Sequence, residues 1–295
     1  MGDYVLRGMA AEGQVLAFAA DTTEMVEEAR RRHGLSKVAT AALGRTMTAA
    51  AMMAVEAKTK EETISINIQG NGPIQKVIAI ADGAGRVRGT VGDATVDLPL
   101  NASGKLDVAG ALGIGVMSIV KDLGLKEPYV GSTHLVTSEI AEDLAYYFTV
   151  SEQRPSAVAL GVLVHDDGTV WKSGGYILQM LPGASDEVAE ELQNRVTAFP
   201  QLTTFLAGGH TPEEVLETLF AGMDYQTMGK VPMHFECDCT AEKVEAAFIS
   251  VGKEEIEGMI AEGKPVEMTC HFCNQKYYIS VERMKELLTK ATQKK

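Results

Sequence analysis

The 295 residues exceed the usual size of a single hydrophobic core, so the length predicts two domains. The net charge of −13 and a pI near 5.0 disfavour contact with a phosphate backbone, which excludes nucleic acid as an expected partner. The uncharged, glycine-rich run between Asp107 and Lys121 is shorter than the roughly 18 apolar residues of a transmembrane helix. The start "MGDYVLRGMA" lacks the apolar core of a secretory signal, so we expect a cytoplasmic protein without a membrane partner.

The pattern of residues 1–178 predicts a mixed α/β domain with mostly antiparallel strands. For the whole chain we expect an α+β fold. "DTTEMVEEARRRHG" predicts a helix with Asp21 as its N-cap and Gly34 as its stop, and "SKVATAALGRTMTAAAMMAVEAK" a buried helix. "TISINIQGNGPIQKVIAIADGAGRVRGTVG" predicts three antiparallel strands, and "TSEIAEDLAYYFTVSEQ" a helix. "SAVALGVLVHDDGTVWKSGGYILQML" predicts two strands joined at "DDG". Three methionines of the buried helix are expected in the core: Met47, Met52 and Met53.

Residues 179–232 predict a helical linker. Its short helices carry the capping residues Ser185 and Thr211, and its eight acidic and two basic side chains give a net charge of −6. Apolar linker side chains must pack on a neighbour, and we expect them to cover the N-terminal sheet. They are Phe199, Leu202, Phe205, Leu206, Leu216, Leu219 and Phe220.

The last segment, residues 233–295, contains all four cysteines of the chain. "TAEKVEAAFISVG" and "KEEIEGMIAEG" predict two helices, "PVEMTCHFCNQKYYIS" a hairpin with cysteines at its turn, and "SVERMKELLTKA" a helix capped by Ser280. A domain of this size buries little apolar surface and usually needs a metal or another cross-link.

The cysteines form a CxC pair, Cys237 and Cys239, and a CxxC pair, Cys270 and Cys273. Two such pairs, separated by enough chain to fold back, supply the four thiolates of a tetrahedral zinc site. Residues i and i+2 of an extended segment lie about 6.5 Å apart at Cα, at the upper edge of disulfide reach, and CxxC is a common redox spacing. Three interpretations stay open from spacing alone: an inert structural zinc site, a redox switch, and a zinc ribbon.

Other side chains give weaker signals. His234 and His271 lie beside the cysteines, and either could replace a sulfur as a ligand, but with four cysteines available we expect the thiols to bind the metal. The glycine-rich stretches "GAGRVRG" and "GALGIG" match no phosphate-binding pattern, and no catalytic triad or carboxylate pair is recognisable, so we expect no enzyme. A thiol–disulfide oxidoreductase acting through Cys270 and Cys273 requires a strand–CxxC–helix context, whereas "TCHFCNQKYYIS" predicts a hairpin.

The cysteine pattern and the motifs "RRRHG", "AALGRTMTA", "GNGPI", "GKLDV", "VKDLGL" and "PSAVALGVLV" together resemble the bacterial redox-regulated 33-kDa heat-shock chaperone family over essentially the whole chain. The resemblance implies an ATP-independent holdase that binds unfolding client proteins and is dimeric when active. It implies one zinc per chain, held by Cys237, Cys239, Cys270 and Cys273 in an inactive reduced state. It further implies that oxidation forms the disulfides Cys237–Cys239 and Cys270–Cys273, releases zinc and unfolds the zinc domain and linker.

Overall fold

The computed structural model describes residues 2–293 and divides the chain into two compact units, Met1–Glu236 and Cys237–Lys295. The predicted linker packs within the first unit and is described with it, while the three-part division at residues 178 and 232 remains a prediction. Met1 and residues 294–295, which the predicted domain ranges include, lie outside the described residues.

The described residues form strands and helices in the following chain order. The strands are β1 (Tyr4–Ala10), β2 (Val15–Asp21), β3 (Thr63–Gly70), β4 (Lys76–Asp82), β5 (Arg86–Val91), β6 (Gly115–Asp122), β7 (Tyr129–His134), β8 (Ser156–Val164), β9 (Val170–Met180), β10 (Gln226–Pro232), β11 (His234–Phe235), β12 (Val266–Thr269) and β13 (Lys276–Ile279). The helices are α1 (Thr23–His33), α2 (Lys37–Ala54), α3 (Val108–Leu112), α4 (Ala141–Ser151), α5 (Asp186–Ala198), α6 (Leu202–Ala207), α7 (Pro212–Leu219), α8 (Ala241–Ile249), α9 (Lys253–Glu262) and α10 (Val281–Gln293).

Helix α2 forms the centre of the first unit. Sixteen of its 18 residues are buried, and it packs against strands of both sheets of this unit, β4 and β5 of one and β8 and β9 of the other. Its small and apolar side chains suit a helix that contacts protein on every side. Met47, Met52 and Met53 are buried there, which confirms their predicted place in the core. The strand order is β10-β1-β2-β9-β8 in one sheet and β11-β5-β4-β3-β6-β7 in the other.

The linker helices α5, α6 and α7 cover the second face of the five-stranded sheet, as predicted. Leu206, Leu216 and Phe220 form one buried apolar cluster with Leu6 and Tyr176 of that sheet. Helix α6 comes close because β8 and β9 place Gly161 opposite Gly174. A Cβ at Gly161 would lie 2.1 Å from a methyl carbon of Thr203, and one at Gly174 would lie 2.6 Å from a methyl carbon of Leu206. Both glycines therefore create the space into which α6 packs.

Polar contacts also attach the linker. Tyr4 of β1 donates a hydrogen bond of 2.5 Å to Glu213 of α7, and Lys230 forms an ion pair of 3.3 Å with the same carboxylate. Arg195 of α5 donates to the carbonyl oxygens of Leu219 and Ala221 at the end of α7. These bonds satisfy groups that a helix terminus leaves without an internal partner.

The prediction that the linker is helical throughout is wrong for its last part. Residues Gln226–Pro232 form strand β10, which pairs antiparallel with β1 from Tyr4↔Pro232 to Met9↔Gln226. Pairing with a strand more than 200 residues away in sequence supplies these backbone hydrogen bonds, and a local pattern does not reveal such a partner.

The predicted N-cap of α1 is also wrong. Asp21 ends strand β2, and the helix begins at Thr23 after the N-cap Thr22, whose side chain makes no capping bond. The N–H groups of the first turn have two acceptors: the Asp3 carboxylate accepts from Glu24 N at 3.0 Å and from Met25 N at 2.6 Å, and Asp21 Oδ1 accepts from Thr23 N at 3.1 Å. Asp3, the residue just before β1, therefore performs most of the capping that the sequence assigns to Asp21.

The buried Asp3 carboxyl predicts a pH-dependent stability. Burial raises the pKa of Asp3 from 3.8 to about 7, although both N–H donors act in the opposite direction. Between these values the folded chain binds more protons than the unfolded chain, so the free energy of unfolding falls as pH rises, by roughly 2–4 kcal/mol. Thermal unfolding at pH 5 and pH 8 should show a smaller pH dependence in Asp3→Asn than in the wild type. Equal pH dependence in both proteins would contradict a raised pKa.

The second unit is small. Its helices α8, α9 and α10 and the hairpin β12–β13 surround five buried apolar side chains, namely Phe248, Ile256, Ile279, Met284 and Leu287. The predicted helices and hairpin are confirmed, and Ser280 Oγ accepts from Arg283 N at the start of α10, as a capping residue does. A core of this size contributes little stability by itself.

Candidate metal centre

The hairpin β12–β13 positions Cys270 and Cys273 at its turn. Cys270 N donates to Gln275 O at 2.9 Å, and Asn274 N donates to Cys270 O at 2.8 Å. Asn274 has a φ of 59°, in the left-handed region that asparagine tolerates better than most residues. This tight turn directs the sulfurs of the CxxC pair towards one point, as the spacing predicts.

The CxC pair lies just before α8. Thr240 caps that helix by accepting from Lys243 N, and Lys243 Nζ pairs with Asp238 at 2.5 Å between the cysteines. The hydroxyl of Tyr277 on β13 lies 3.1 Å from both the carbonyl oxygen and the Sγ of Cys239. The tyrosine thereby connects the CxC pair to the strand that follows the CxxC pair.

The four sulfurs form one cluster. Their Sγ atoms all lie within 4.8 Å of one another, with 3.8 Å between Cys237 and Cys270 and 3.3 Å between Cys239 and Cys273. All four are free thiols, and Cys273 is the buried member. The sequence predicts this set, and the structure brings all four of its members together.

Burial shapes the acidity of the cluster. It raises the pKa of Cys237 well above its ordinary value and that of Cys273 to about 11. Burial acts in the same direction on Cys239, but hydrogen bonds to its sulfur, from Tyr277 first among them, lower its pKa below the ordinary value. Four thiolates so close together repel one another unless a cation lies between them.

The cluster fits a tetrahedral metal ion. A metal–sulfur distance near 2.3 Å places sulfurs at the corners of a tetrahedron with edges of about 3.8 Å, in the middle of the observed spacings. Among the described residues, neither His234 nor His271 belongs to the group that could hold the ion. A set of four soft thiolates favours zinc over hard cations such as magnesium and calcium.

Sequence reasoning missed Tyr277. Its position is four residues after Cys273, on a strand whose register pairs it with Met268. The contact with Cys239 depends on how the CxC segment folds against the hairpin, and the intervening helices conceal that approach in the sequence.

The folded chain is an α+β protein with a small unit that contains a four-thiol cluster fit for a metal ion. The CxxC lies at a hairpin turn, not between a strand and a helix as in thioredoxin-like oxidoreductases. No helix among the described residues combines the length and the apolar character that a membrane crossing requires.

Known proteins share this architecture. A family profile described as "Hsp33 protein" matches residues 3–280. A 33 kDa chaperonin of Lachnoclostridium phytofermentans is 47% identical over 291 residues, which cover 99% of this chain and 100% of that protein. A 33 kDa chaperonin of Acetivibrio thermocellus is 47% identical over 288 residues, covering 98% and 97%. The crystal structure of the 33 kDa chaperonin from Thermotoga maritima, a heat shock protein 33 homologue, covers 99% of this chain and 100% of its own with a TM-score of 0.92 and 39% identity.

The chain belongs to the Hsp33 family of heat-shock chaperones. The resemblance inferred from the sequence motifs is thereby confirmed, as is the predicted α+β fold class. The two relatives compared by sequence are both named 33 kDa chaperonin.

Proposed function

We propose that this chain is a redox-regulated, ATP-independent holdase that acts in the cytoplasm on unfolding client proteins and has no enzymatic activity. The observation that carries the proposal is the cluster of all four cysteines of the chain within 4.8 Å of one another. One cluster of this kind serves both as a metal site when reduced and as a source of disulfides when oxidised.

In the reduced state Cys237, Cys239, Cys270 and Cys273 hold one zinc ion per chain. Bound zinc supplies the positive charge that lets four neighbouring thiols ionise together, and it links α8 to the hairpin. Structural zinc contributes about 10–16 kcal/mol of apparent folding free energy in small domains, which exceeds what five buried apolar side chains supply. In this state the second unit is folded and the chaperone is inactive.

Oxidation forms the disulfides Cys237–Cys239 and Cys270–Cys273. In each, two thiols lose two electrons and two protons as one S–S bond forms, and one peroxide accepts them to give two molecules of water. The sulfurs in these bonds no longer bind a metal as thiolates, so the second unit loses its main stabilising contact.

The pairing decides the outcome for the second unit. The close sulfur–sulfur contacts join Cys237 to Cys270 and Cys239 to Cys273, positions 33 and 34 residues apart. Disulfides across such loops would constrain the unfolded chain and stabilise the folded unit, whereas bonds within each short pair close almost no loop. Unfolding on oxidation therefore requires the local pairing.

Loss of the second unit releases the linker, whose last residue, Pro232, is separated from Cys237 by four residues. Release of α6 and α7 from the five-stranded sheet exposes the apolar cluster of Leu206, Leu216 and Phe220 against Leu6 and Tyr176. Exposed apolar surface of this kind binds unfolded segments and also supports association of two chains into an active homodimer.

The test measures client aggregation before and after peroxide, with zinc release and a disulfide map on the same samples. We expect suppression of aggregation, one equivalent of zinc released per chain, and disulfides Cys237–Cys239 and Cys270–Cys273. Disulfides between the two pairs would overturn the proposed unfolding step. Catalytic reduction of insulin by the reduced protein would favour an oxidoreductase, and insensitivity to peroxide would favour a structural zinc module.

Tyr277→Phe is expected to weaken zinc binding by about tenfold. The change removes the hydroxyl 3.1 Å from Cys239 Sγ, and loss of a partner that orients a metal ligand typically costs 10–100-fold in affinity. Competition with a chromogenic chelator measures the affinity. Tyr278→Phe is the matched control because Tyr278 is the neighbouring, exposed tyrosine. Equal weakening in both variants would assign the effect to the hairpin as a whole.

A further inference from the structure

Strand β8 forms one edge of the five-stranded sheet. It lacks the charged residues and prolines that usually keep an edge strand from pairing with another chain. "SAVALGVLV" is 9 residues long, without a charged residue or proline. The opposite edge strand, β10, contains Lys230 and Pro232, two features by which natural edge strands resist pairing with another chain. Because β8 pairs only with β9 in this sheet, the backbone N–H and C=O groups of every second β8 residue point away from β9.

The side chains of β8 are largely occupied by the core of the first unit. Val158, Leu160 and Val162 pack towards α2, and Ala157 and Ala159 pack towards the linker helices. Its backbone edge is what remains available, and a new strand could extend the sheet there by main-chain hydrogen bonds.

A groove of about 710 Å³ runs along this edge. Residues Val158–Val164 line it together with the segment 100–106 on one side and Gln201–Thr203, at the start of α6, on another. The charged side chains of the groove cancel in number: Lys37, Arg45 and Lys105 against Glu139, Glu142 and Asp166. A neutral groove in a chain of net charge −13 complements an uncharged segment, since such a segment meets neither repulsion nor an unpaired charge.

The shape of the edge selects the occupant. A second folded copy presents the same recessed edge, and two concave surfaces cannot bring their strands within the 4.7–4.9 Å of a sheet. A single extended chain is slender enough to lie between the walls. The groove therefore admits an unfolded segment and excludes a folded sheet edge.

We infer that β8 binds an extended, uncharged segment of an unfolded client as an additional strand of the five-stranded sheet. The inference rests on the proposed chaperone activity, to which it adds the chemical class of the bound segment. Because α6 forms one wall of the groove, release of the linker widens the site, and oxidised protein binds such segments more tightly than reduced protein.

The probe is a fluorescent, end-capped peptide of alternating valine and threonine, equal in length to the 9 residues of β8. Its fully N-methylated counterpart keeps the side chains but donates no backbone hydrogen bond. Fluorescence anisotropy with the oxidised full-length protein should show binding of the first peptide and a Kd at least about tenfold higher for the second. Equal binding of both peptides would overturn strand addition in favour of a general apolar contact.

Leu163→Glu places a charge on the edge strand. Leu163 lines the groove outside the buried clusters and lies opposite Lys172 of β9, so the carboxylate has a favourable neighbour in the folded protein. We expect the Kd of the valine–threonine peptide to rise at least about tenfold, because binding would bury that charge. Met228→Glu adds the same charge to the exposed surface of β10 and should change the Kd less than about twofold. Equal effects of both substitutions would overturn the assignment to β8.

Two further outcomes keep the inference separate from the proposed redox switch. Peptide binding that is sensitive to Leu163→Glu but equal in reduced and oxidised protein would support the β8 site and contradict the switch. Oxidant-dependent suppression of aggregation without any peptide binding would support the switch and overturn the β8 site. If sedimentation showed self-association that Leu163→Glu abolishes, and the peptide did not bind, the edge would be an interface between two copies.

Discussion

Removal of zinc from the reduced protein is expected to unfold the unit Cys237–Lys295 and to leave the sheets of the unit Met1–Glu236 folded. The second unit has five buried apolar side chains and a cluster of four thiols that fits a metal ion between the segment before α8 and the hairpin. Without the ion, buried thiols whose pKa values are raised, such as Cys237 and Cys273, remain protonated and no longer hold these segments together. The loss of about 10 kcal/mol or more exceeds the stability of a domain of this size.

Hydrogen exchange under reducing conditions, with and without a chelator, measures this effect residue by residue. Amides of α8, α9 and α10 should lose protection, while those of β3 and β4, in the middle of the six-stranded sheet, should keep it. Cys239→Ser provides a second way to the same state without a chelator. Retained protection in α8 to α10 after complete metal removal would show that the second unit folds without zinc.

Leu216→Ala is expected to activate the reduced protein in part, without any oxidant. Leu216 is fully buried between α7 and the five-stranded sheet, and removing such a side chain costs about 2–5 kcal/mol. This loss weakens linker packing on the sheet while the four cysteines stay intact. We expect suppression of client aggregation by the reduced variant, together with protease cleavage within residues 179–232.

Glu217→Ala is the matched control, since Glu217 is the next residue of the same helix and is exposed. It should leave the reduced protein inactive and resistant to cleavage. If Leu216→Ala loses linker protection and yet shows no chaperone activity, the linker would not be the element that covers the client-binding surface.

The sequence predicts those parts of the fold that local patterns define. Helix α2, the three strands β3–β5, the β8–β9 pair and the hairpin that contains Cys270 and Cys273 all follow from residue spacing and turn residues. The four-thiol set can also be predicted from local spacing. The two cysteines of each pair lie within three residues of each other, and two such pairs supply the four ligands that zinc needs.

The remaining features depend on partners that are distant along the chain. Strand β10 exists because β1 offers it an edge, and the first turn of α1 is capped mainly by Asp3, with Asp21 accepting only from Thr23 N. Tyr277 reaches Cys239 through the packing of two segments that are 38 residues apart. In each case the contact that decides the local structure joins residues far apart in sequence. Secondary-structure propensity and hydrophobic periodicity, which depend on neighbouring residues, therefore do not predict it.

The most direct test of the redox switch is a titration of the zinc-loaded, reduced protein with peroxide in which zinc release, helix content and suppression of client aggregation are followed together. The proposed switch predicts that all three change over the same range of oxidant, with one zinc released per chain. Chaperone activity that rises while zinc stays bound, or complete zinc release without any gain in activity, would contradict it.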